Sequence, residues 1–356
     1  MTSKLDTLCA YAKGKIAVED LNAQTYISTE NMISNKGGIV YASSLPSVQY
    51  TQQYLKGDVL VSNIRPYFKK IWMADYDGGC SNDVLVFRAK DGCDPTFLYY
   101  VLANDVFFDY ATATSKGTKM PRGDKTAIMQ YDVPDFDLDT QLRIGKLLRS
   151  LDDRIATNKK INDNLQQQAH AIYVSMFITN ADPSWQQGHL SDLVIVKYGK
   201  DHKKLADGNY PVYGSGGIMR YVECPLYDQE SVLIPRKGTL NNVIYVNQPF
   251  WSVDTMFYTE MRLPNLAKFV YHFVKSKDLA SMNTGSAVPS MTTDILNAME
   301  VVIPSAAALE EFERIVSPMY KEMQENDKQS TALGTLRDIL LPKLMSGEID
   351  VSSIQL

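Results

Sequence analysis

Cysteine and histidine are scarce in this 356-residue chain, four of each. Cys9, Cys80, Cys93 and Cys224 form no Cys-x-x-Cys pair, and His170, His189, His202 and His272 stand far apart, so the chain offers no zinc framework. Free cysteines of this kind are expected to be small buried hydrophobes. No run of about 18 apolar residues is present, so no membrane helix is expected. The N-terminus, MTSKLDTL, lacks a basic stretch followed by an apolar one; no signal peptide is expected, and the chain is expected to remain in the cytoplasm. Tyr213–Gly217, YGSGG, lacks the Gly-Lys-Ser/Thr of a phosphate-cradling loop and reads as a turn. Excess positive charge is missing too. A net charge of −5, taken alone, argues against a nucleic-acid partner.

What is present is the balance of a globular protein, 45% hydrophobic and 22% charged, in a chain long enough for two units. The charge is also unevenly placed. Acid gathers around two long segments, as Asp132, Asp135, Asp137 and Asp139, then Glu310, Glu311, Glu313, Glu322, Glu325 and Asp327. Base gathers between strands: Lys69 and Lys70; Lys116, Lys119, Arg122 and Lys125; Lys197, Lys200, Lys203 and Lys204; Arg236 and Lys237. A single such cluster is usually a solvated face. Four of them confined to the strand-rich parts point to a polyanionic partner.

The long segments dominate the organisation. From Asp137 to Phe177, Ile144, Leu148, Leu151, Ile155, Asn158, Asn162, Leu165, Ala169, Ile172 and Met176 step by four and three, the seam of a helix lying along another helix. Asn158 and Asn162 on that seam fix register at some cost in stability, and Arg143, Lys146, Asp152, Asp153, Lys159 and Lys160 are placed on the outward face. Its partner is Ser305 to Met345, with Leu309, Phe312, Val316, Met319 and Met323 before a polar middle and Leu333, Leu336, Leu340 and Leu344 after it. Each follows a strand ending in proline, YDVPDFDL and VVIPSAAAL. Pro318 is expected to kink or interrupt the second helix.

The chain repeats one plan. KLDTLCAYAKGK aligns with HLSDLVIVKYGK, matching Leu5 to Leu190, Leu8 to Leu193, Gly14 to Gly199 and Lys15 to Lys200; Tyr26 then matches Tyr210. GDVLVSNIRP is answered by ESVLIPRKGT, NDVLVF by VDTMFY, and GTKMP by GSAVP at Gly117/Gly285 and Pro121/Pro289. Alternating strands with Gly, Asn and Asp between them mark a mostly β unit. PTFLYYVLANDVFFDYA and LAKFVYHFVKSKDLASM add short helices at one position in each half. NADPSWQQG, residues 180–188, reads as a linker. The expected fold is α+β: two pseudo-symmetric strand-rich units separated by an antiparallel coiled coil. The boundaries are 1–136, helix 137–178, linker and second unit 179–304, helix 305–348, and a tail 349–356. About 40 helical residues make a strut near 60 Å, and DNA half-sites one turn apart lie roughly 34–36 Å from one another. Such a body suits two short sequences with unread bases between.

With repeat, helices and loops together, the chain resembles the specificity subunit of a Type I restriction–modification enzyme across nearly its whole length. KYGKDHKKLADGNYPVYGSGGIMRYV is similar to one kind of target-recognition domain, and YISTENM after GKIAVEDLN to another; LDTQLRIGKLLRSLDDRIATNKKIN and TLRDILLPKLMSGEI are similar to the helical conserved regions. The resemblance implies a noncatalytic subunit, without a cofactor or metal of its own, that reads a bipartite sequence in double-stranded DNA. It implies two modification (methyltransferase) subunits carrying S-adenosylmethionine, restriction subunits that translocate DNA with ATP, and no membrane.

DNA affinity needs cations on phosphates, and sequence choice needs side chains at base edges. The DNA-binding candidates are Arg65, Lys69, Lys70, Lys116, Lys119 and Arg122 in the first half. In the second they are Lys197, Lys200, Lys203, Lys204, Tyr213, Ser215, Arg236, Lys237, Asn241 and Asn242. Arg65 and Arg236 stand out because each leaves the same strand in its own half. Gly117–Pro121 and Gly285–Pro289 are either phosphate-contacting loops or plain turns. Tyr54, Tyr67, Tyr76, Phe250 and Trp251 are either core or a base-stacking platform. Two alternatives stand beside this one. A nuclease site would use Asp192, Asp201 and Lys203, and an adenine methyltransferase would need an Asn/Asp-Pro-Pro-Tyr/Phe element that VPDF at Val133–Phe136 does not provide. A protein-interaction scaffold would have no use for salt-sensitive basic loops.

Overall fold

The computed structural model describes residues 2–282 and 290–352. The chain divides into two compact units, Met1–Asn158 with Asp327–Leu356, and Lys159–Asn326.

In the first unit Thr2–Lys4 pairs antiparallel with Asp132–Pro134, and one helical turn, Leu5–Leu8, follows. An antiparallel sheet comes next, ordered Cys9–Tyr11, Val84–Ala89, Val59–Ser62, Ile71–Met73. In its strand Val59–Ser62 the run Val59–Val61 is apolar without alternation because both faces are covered. Val59 and Val61 enter the core that holds Phe97, Phe107, Ile144 and Leu344, whereas Leu60 enters a second one around Ile27, Tyr54 and Cys80. The second sheet is ordered Lys15–Ala17, Tyr50–Tyr54, Gly78–Cys80, Tyr26–Ile27, the last pair parallel. Helix Pro95–Ala103 starts where the Asp94 carboxylate accepts from the Phe97 N–H at 2.8 Å.

The second unit follows the same itinerary. Gln186–His189 pairs with Glu300–Ile303, the turn Leu190–Leu193 buries both leucines, and a sheet is ordered Val194–Tyr198, Met256–Met261, Ser231–Pro235, Ile244–Val246. Val232 and Ile234 point to one core and Leu233 to another. Helix Ala267–Lys275 occupies the place of Pro95–Ala103. The repeat read from the sequence is therefore a repeat of topology. The GSAVP match at Gly285–Pro289 lies outside the described residues.

Both long helices are present, Leu138–Val174, continued by a π turn Ser175–Thr179, and Ala306–Ser346. Each unit contains part of both. In the first, Ile144 and Leu148 share a core with Leu341 and Leu344, and the buried Asn158 donates from Nδ2 to Gln329 Oε1 at 2.8 Å and Ser330 Oγ at 3.2 Å. In the second, Asn162 Nδ2 donates to the Met323 carbonyl at 3.1 Å and its Oδ1 accepts from Asn326 at 2.9 Å. The two seam asparagines thus hold register by bonds that only one alignment satisfies.

Several expectations need correction. Pro318 does not interrupt the second helix, which runs unbroken through it; Phe312, Val316, Tyr320 and Met323 are buried on either side, and that packing offsets the roughly 3 kcal/mol that an interior proline costs. Leu336 is 44% exposed and lies off the seam, whose line there runs through Leu333, Leu340, Leu341 and Leu344. Asp152 is not outward-facing: it accepts from Tyr100 Oη at 2.6 Å and from Arg337 Nη1 at 2.7 Å, joining three helices of the first unit. The stretch read as a linker becomes a strand at Gln186, and Trp185 packs on the core. Nor is the C-terminus all tail, since Val351 is buried in the first unit's core.

One consequence concerns pH. His272 is buried beside Tyr173 and Phe312, shares a 2.9 Å hydrogen bond between its Nε2 and Tyr320 Oη, and burial, His170 and Lys275 push its pKa down to about 3. An unfolded histidine titrates near about 6.5. The unfolded state therefore binds the extra proton first, so this stability is complete above about pH 6.5 and is lost progressively as pH falls towards 3. Hydrogen exchange over residues 159–326, corrected for the pH dependence of its intrinsic rate, is expected to show about 2 kcal/mol of loss from this group between pH 7 and pH 5, absent in His272→Phe. Equal losses in both proteins would show that His272 is not held neutral.

Candidate nucleic-acid interface

In the first unit the strand Val59–Ser62 leads to a knuckle, the 3-10 turn Pro66–Phe68, flanked by Arg65 and Lys69 in left-handed backbone, φ 49° and 51°. Each such residue costs about 1–2 kcal/mol. Three sets of contacts hold the knuckle in place. Arg65 N donates to the Pro121 carbonyl at 2.8 Å, and Arg65 Nη2 lies 3.5 Å from the Lys119 carbonyl. Lys116 and Arg122 pair their backbones across the loop that carries Lys119, and Ile64 bridges to Arg122. Lys70 Nζ donates to the Thr29 carbonyl at 2.6 Å. The six first-half candidates are thus gathered on two joined loops.

Carboxylates order several of these cations. Asp105 takes Lys36 Nζ at 2.8 Å and Lys69 Nζ at 3.1 Å; burial pushes its pKa up, but those two lysines outweigh it and hold the carboxyl below its ordinary value. Lys116 pairs with Asp124 at 2.5 Å and Arg122 with Asp83 at 3.0 Å. Lys36 was not among the sequence candidates; its only signal is a basic residue beside Gly37 and Gly38 in a turn.

In the second unit Ser231–Pro235 leads to Arg236, whose backbone carbonyl accepts from Met291 N and whose guanidinium lies over the Tyr198 ring at 5.3 Å. Lys237 bridges to Ser290. The exit of the equivalent strand is therefore built alike in both units, joined to the segment that precedes a short helix, Lys125–Met129 or Thr293–Asn297. Asn242 Nδ2 donates to the Ser215 carbonyl at 2.7 Å, which places these two beside Gly238. Lys197 lies 3.7 Å from Glu260 on the adjoining strand, while Lys200, Lys203 and Lys204 are exposed on the loop that follows.

Two candidates are placed otherwise. Tyr213 is only 8% exposed and packs against Phe250, so its ring fills the core of the hairpin sheet. Asn241 is engaged structurally, donating to Asp278 Oδ1 at 3.1 Å and accepting from Ala280 N at 3.0 Å. Of the five aromatics weighed for stacking, Tyr54 and Phe250 are fully buried, Tyr76 and Trp251 half-buried, and Tyr67 exposed. Burial pushes the thiols of Cys9, Cys80 and Cys93 up to about 12, as expected of packing residues. The carboxylates of the nuclease alternative are used locally: Asp192 accepts from His189 N, and Asp201 from Lys203 N.

A model of the Type I restriction modification DNA specificity domain matches residues 1–167 and 184–331. The chain belongs to the Type I restriction–modification DNA specificity family. The two matched stretches follow the two halves of the repeat. The chain is 21% identical to the MjaIX specificity subunit of Methanocaldococcus jannaschii, over 74% of this chain and 71% of that one. It is 23% identical to the HindI specificity subunit of Haemophilus influenzae, over 93% and 96%. Among solved structures it is similar to a Type I restriction–modification S subunit from M. genitalium, with a TM-score of 0.58 and 19% identity over 97% of this chain and 96% of that one, a likeness of fold. Family membership makes this a specificity subunit, whose part in such a system is recognition and not catalysis. No described helix is long and apolar enough to cross a membrane.

Proposed function

We propose that the chain reads a bipartite sequence in double-stranded DNA, one part per unit, and presents its long helices to two modification subunits and to restriction subunits. Recognition falls to the strand-rich parts, 1–136 and 179–304, and docking to the helices, 137–178 and 305–348. S-adenosylmethionine and ATP are bound by the partners, and the chain itself needs no cofactor. The observation that carries this is the strand exit built twice, with Arg65 in one unit and Arg236 in the other, each amid lysines. Lys36, Lys69, Lys70, Lys116, Lys119 and Arg122, and in the second unit Lys197, Lys200, Lys203, Lys204 and Lys237, supply phosphate contacts; Ser215 and Asn242, which meet beside Gly238, join Arg236 as base readers. Lysines already paired with carboxylates are pre-oriented and exchange an acidic partner for a phosphate on binding.

The test is binding of the complex to a duplex carrying its methylated sequence, as found by sequencing modified bases. Affinity is expected to fall linearly in log–log against salt, and Lys70→Ala to lower the slope by about one. Arg65→Ala and Arg236→Ala are each expected to relax a different part of the target, by roughly 1–3 kcal/mol at the affected base. Salt-independent binding would favour the scaffold alternative, and methyl transfer by the chain alone would overturn a noncatalytic role.

A further inference from the structure

We infer that Tyr67 is a wedge, an aromatic tip that enters the groove and partly unstacks one base step in the target part read by the first unit. This deepens the DNA-reading role proposed above and rests on it.

Among the described residues, no exposed aromatics other than Tyr67 and Phe68 lie in one turn between two left-handed non-glycine residues. Among the described residues five non-glycine positions have left-handed backbone, and four of them, Asn35, Lys36, Arg65 and Lys69, converge here. Asn35 N donates to the Phe68 carbonyl and Lys36 N to the Lys69 carbonyl, both at 2.8 Å, so one unfavourable turn is clasped by another. Residues kept in sparsely populated backbone regions persist where the surroundings over-determine them, and they cluster at binding sites. What the clasp presents is Tyr67, 47% exposed, with its ring centroid 4.8 Å from that of Phe68, itself 38% exposed and flanked by Arg65 and Lys70 at 6.0 Å. Met120, 50% exposed, lies in sequence between the two carbonyls that Arg65 contacts.

An apolar tip on joined loops that also carry cations has two surfaces of different use. The cations Lys69, Lys70, Lys116, Lys119 and Arg122 suit the two phosphate strands that wall a groove, and the apolar tip suits neither phosphate nor water. Only base edges and base faces lie between those walls. Proteins that place apolar side chains there unstack a step and bend the duplex, and ring–base stacking tolerates any base because each has a π face. The cost of fixing the ring is met in part before binding, because the clasp leaves the turn one backbone conformation and the Phe68 ring packs against that of Tyr67. Pyrimidine–purine steps, which unstack most readily, are the ones this tip favours.

The experiment uses the full chain assembled with its modification subunits. The probe is a duplex of its methylated sequence carrying 2-aminopurine at successive positions other than the methylated adenines and the bases beside them, since methyltransferases flip their target base out of the stack, and a scrambled duplex of equal length serves as reference. With the native chain, 2-aminopurine fluorescence is expected to rise at one step within the first unit's part of the target and nowhere in the second's. Tyr67→Ala abolishes the rise and lowers affinity for the target roughly 5- to 100-fold, with the salt slope unchanged because phosphate contacts remain. Tyr67→Phe, which keeps the ring, restores both. Since the side chain is exposed, the variants fold, and their melting curves should superimpose on that of the native chain. No rise at any step, a rise that survives Tyr67→Ala, or an equal loss on target and scrambled duplexes each overturns the wedge. Failure of the native chain to prefer its target over the scrambled duplex would instead show that the DNA-reading role itself is wrong.

Discussion

Replacing Lys159–Asn326 with the equivalent unit of another specificity subunit is expected to change one part of the methylated sequence completely and leave the other untouched. The reason is that each unit closes its own cores. In the second, Tyr173 and Phe177 of the first long helix and Leu309, Phe312, Val316 and Tyr320 of the second pack with Phe257, Phe269 and Val270 of the recognition part. A unit exchanged between Asn158 and Asp327 therefore carries every wall of its own core, and the junctions fall where the helix seam is polar. Exchange limited to 179–304 gives the same change of sequence, but it sets a foreign recognition part against Phe177 and Phe312. Core mismatches of that size cost about 3–5 kcal/mol per large aromatic left unfilled, so this narrower chimera is expected to melt well below the wider one. Sequencing of modified bases and thermal melts read both results. A change in both parts of the target would show that recognition is not divided between the units, and equal melting would show that the helices are separable from the recognition core.

Lys268 is expected to be a costly charge to remove. Its side chain is 4% exposed, and its Nζ lies 2.6 Å from Glu313 Oε1 and 3.2 Å from Glu230 Oε1, over the rings of Tyr245 and Tyr320 at 5.2 and 5.7 Å. Tyr245 Oη donates to the same Glu230 oxygen at 2.6 Å. Taking away the ammonium leaves Glu313 facing an apolar wall without its counter-charge. Deleting one partner of a buried pair costs about 3–5 kcal/mol, and the partial exposure of both glutamates brings the expectation to about 3. Lys268→Met should therefore destabilise the second unit by that amount, while the double change with Glu313→Leu, which removes the stranded carboxylate and adds apolar contact, regains most of it. Because a chain of two units need not unfold in one step, hydrogen exchange over residues 159–326 is the appropriate measurement. Additive losses in the double variant would show that the two side chains are not coupled.

The periodicity of the two long segments and the ordered, twice-written strands were legible because each follows from spacing alone: steps of three and four bury one helix stripe, and a run such as VLV is apolar where both sheet faces are covered. The asparagine seam was legible for the same reason. What a side chain does across the chain was not. Asp152 and Leu336 sit on helices whose period was read correctly, yet one faces inward to Tyr100 and Arg337 and the other outward. Tyr213 read as a DNA-binding candidate and Tyr67 as either core or stacking platform; burial makes the first a core residue and leaves the second exposed at a tip. Pro318 carried a local rule that the packing around Phe312 and Val316 overrode.

From its order of residues alone, this protein was determined to be one plan used twice with two helices, since local spacing, strand alternation and turn chemistry are properties of neighbouring residues. Which cations meet on a single surface, which aromatic stands out from it, and where each unit's core ends were decided only in three dimensions. Those depend on contacts between segments a hundred or more residues apart, such as Asn158 with Gln329, and no local pattern encodes the partner at the far end.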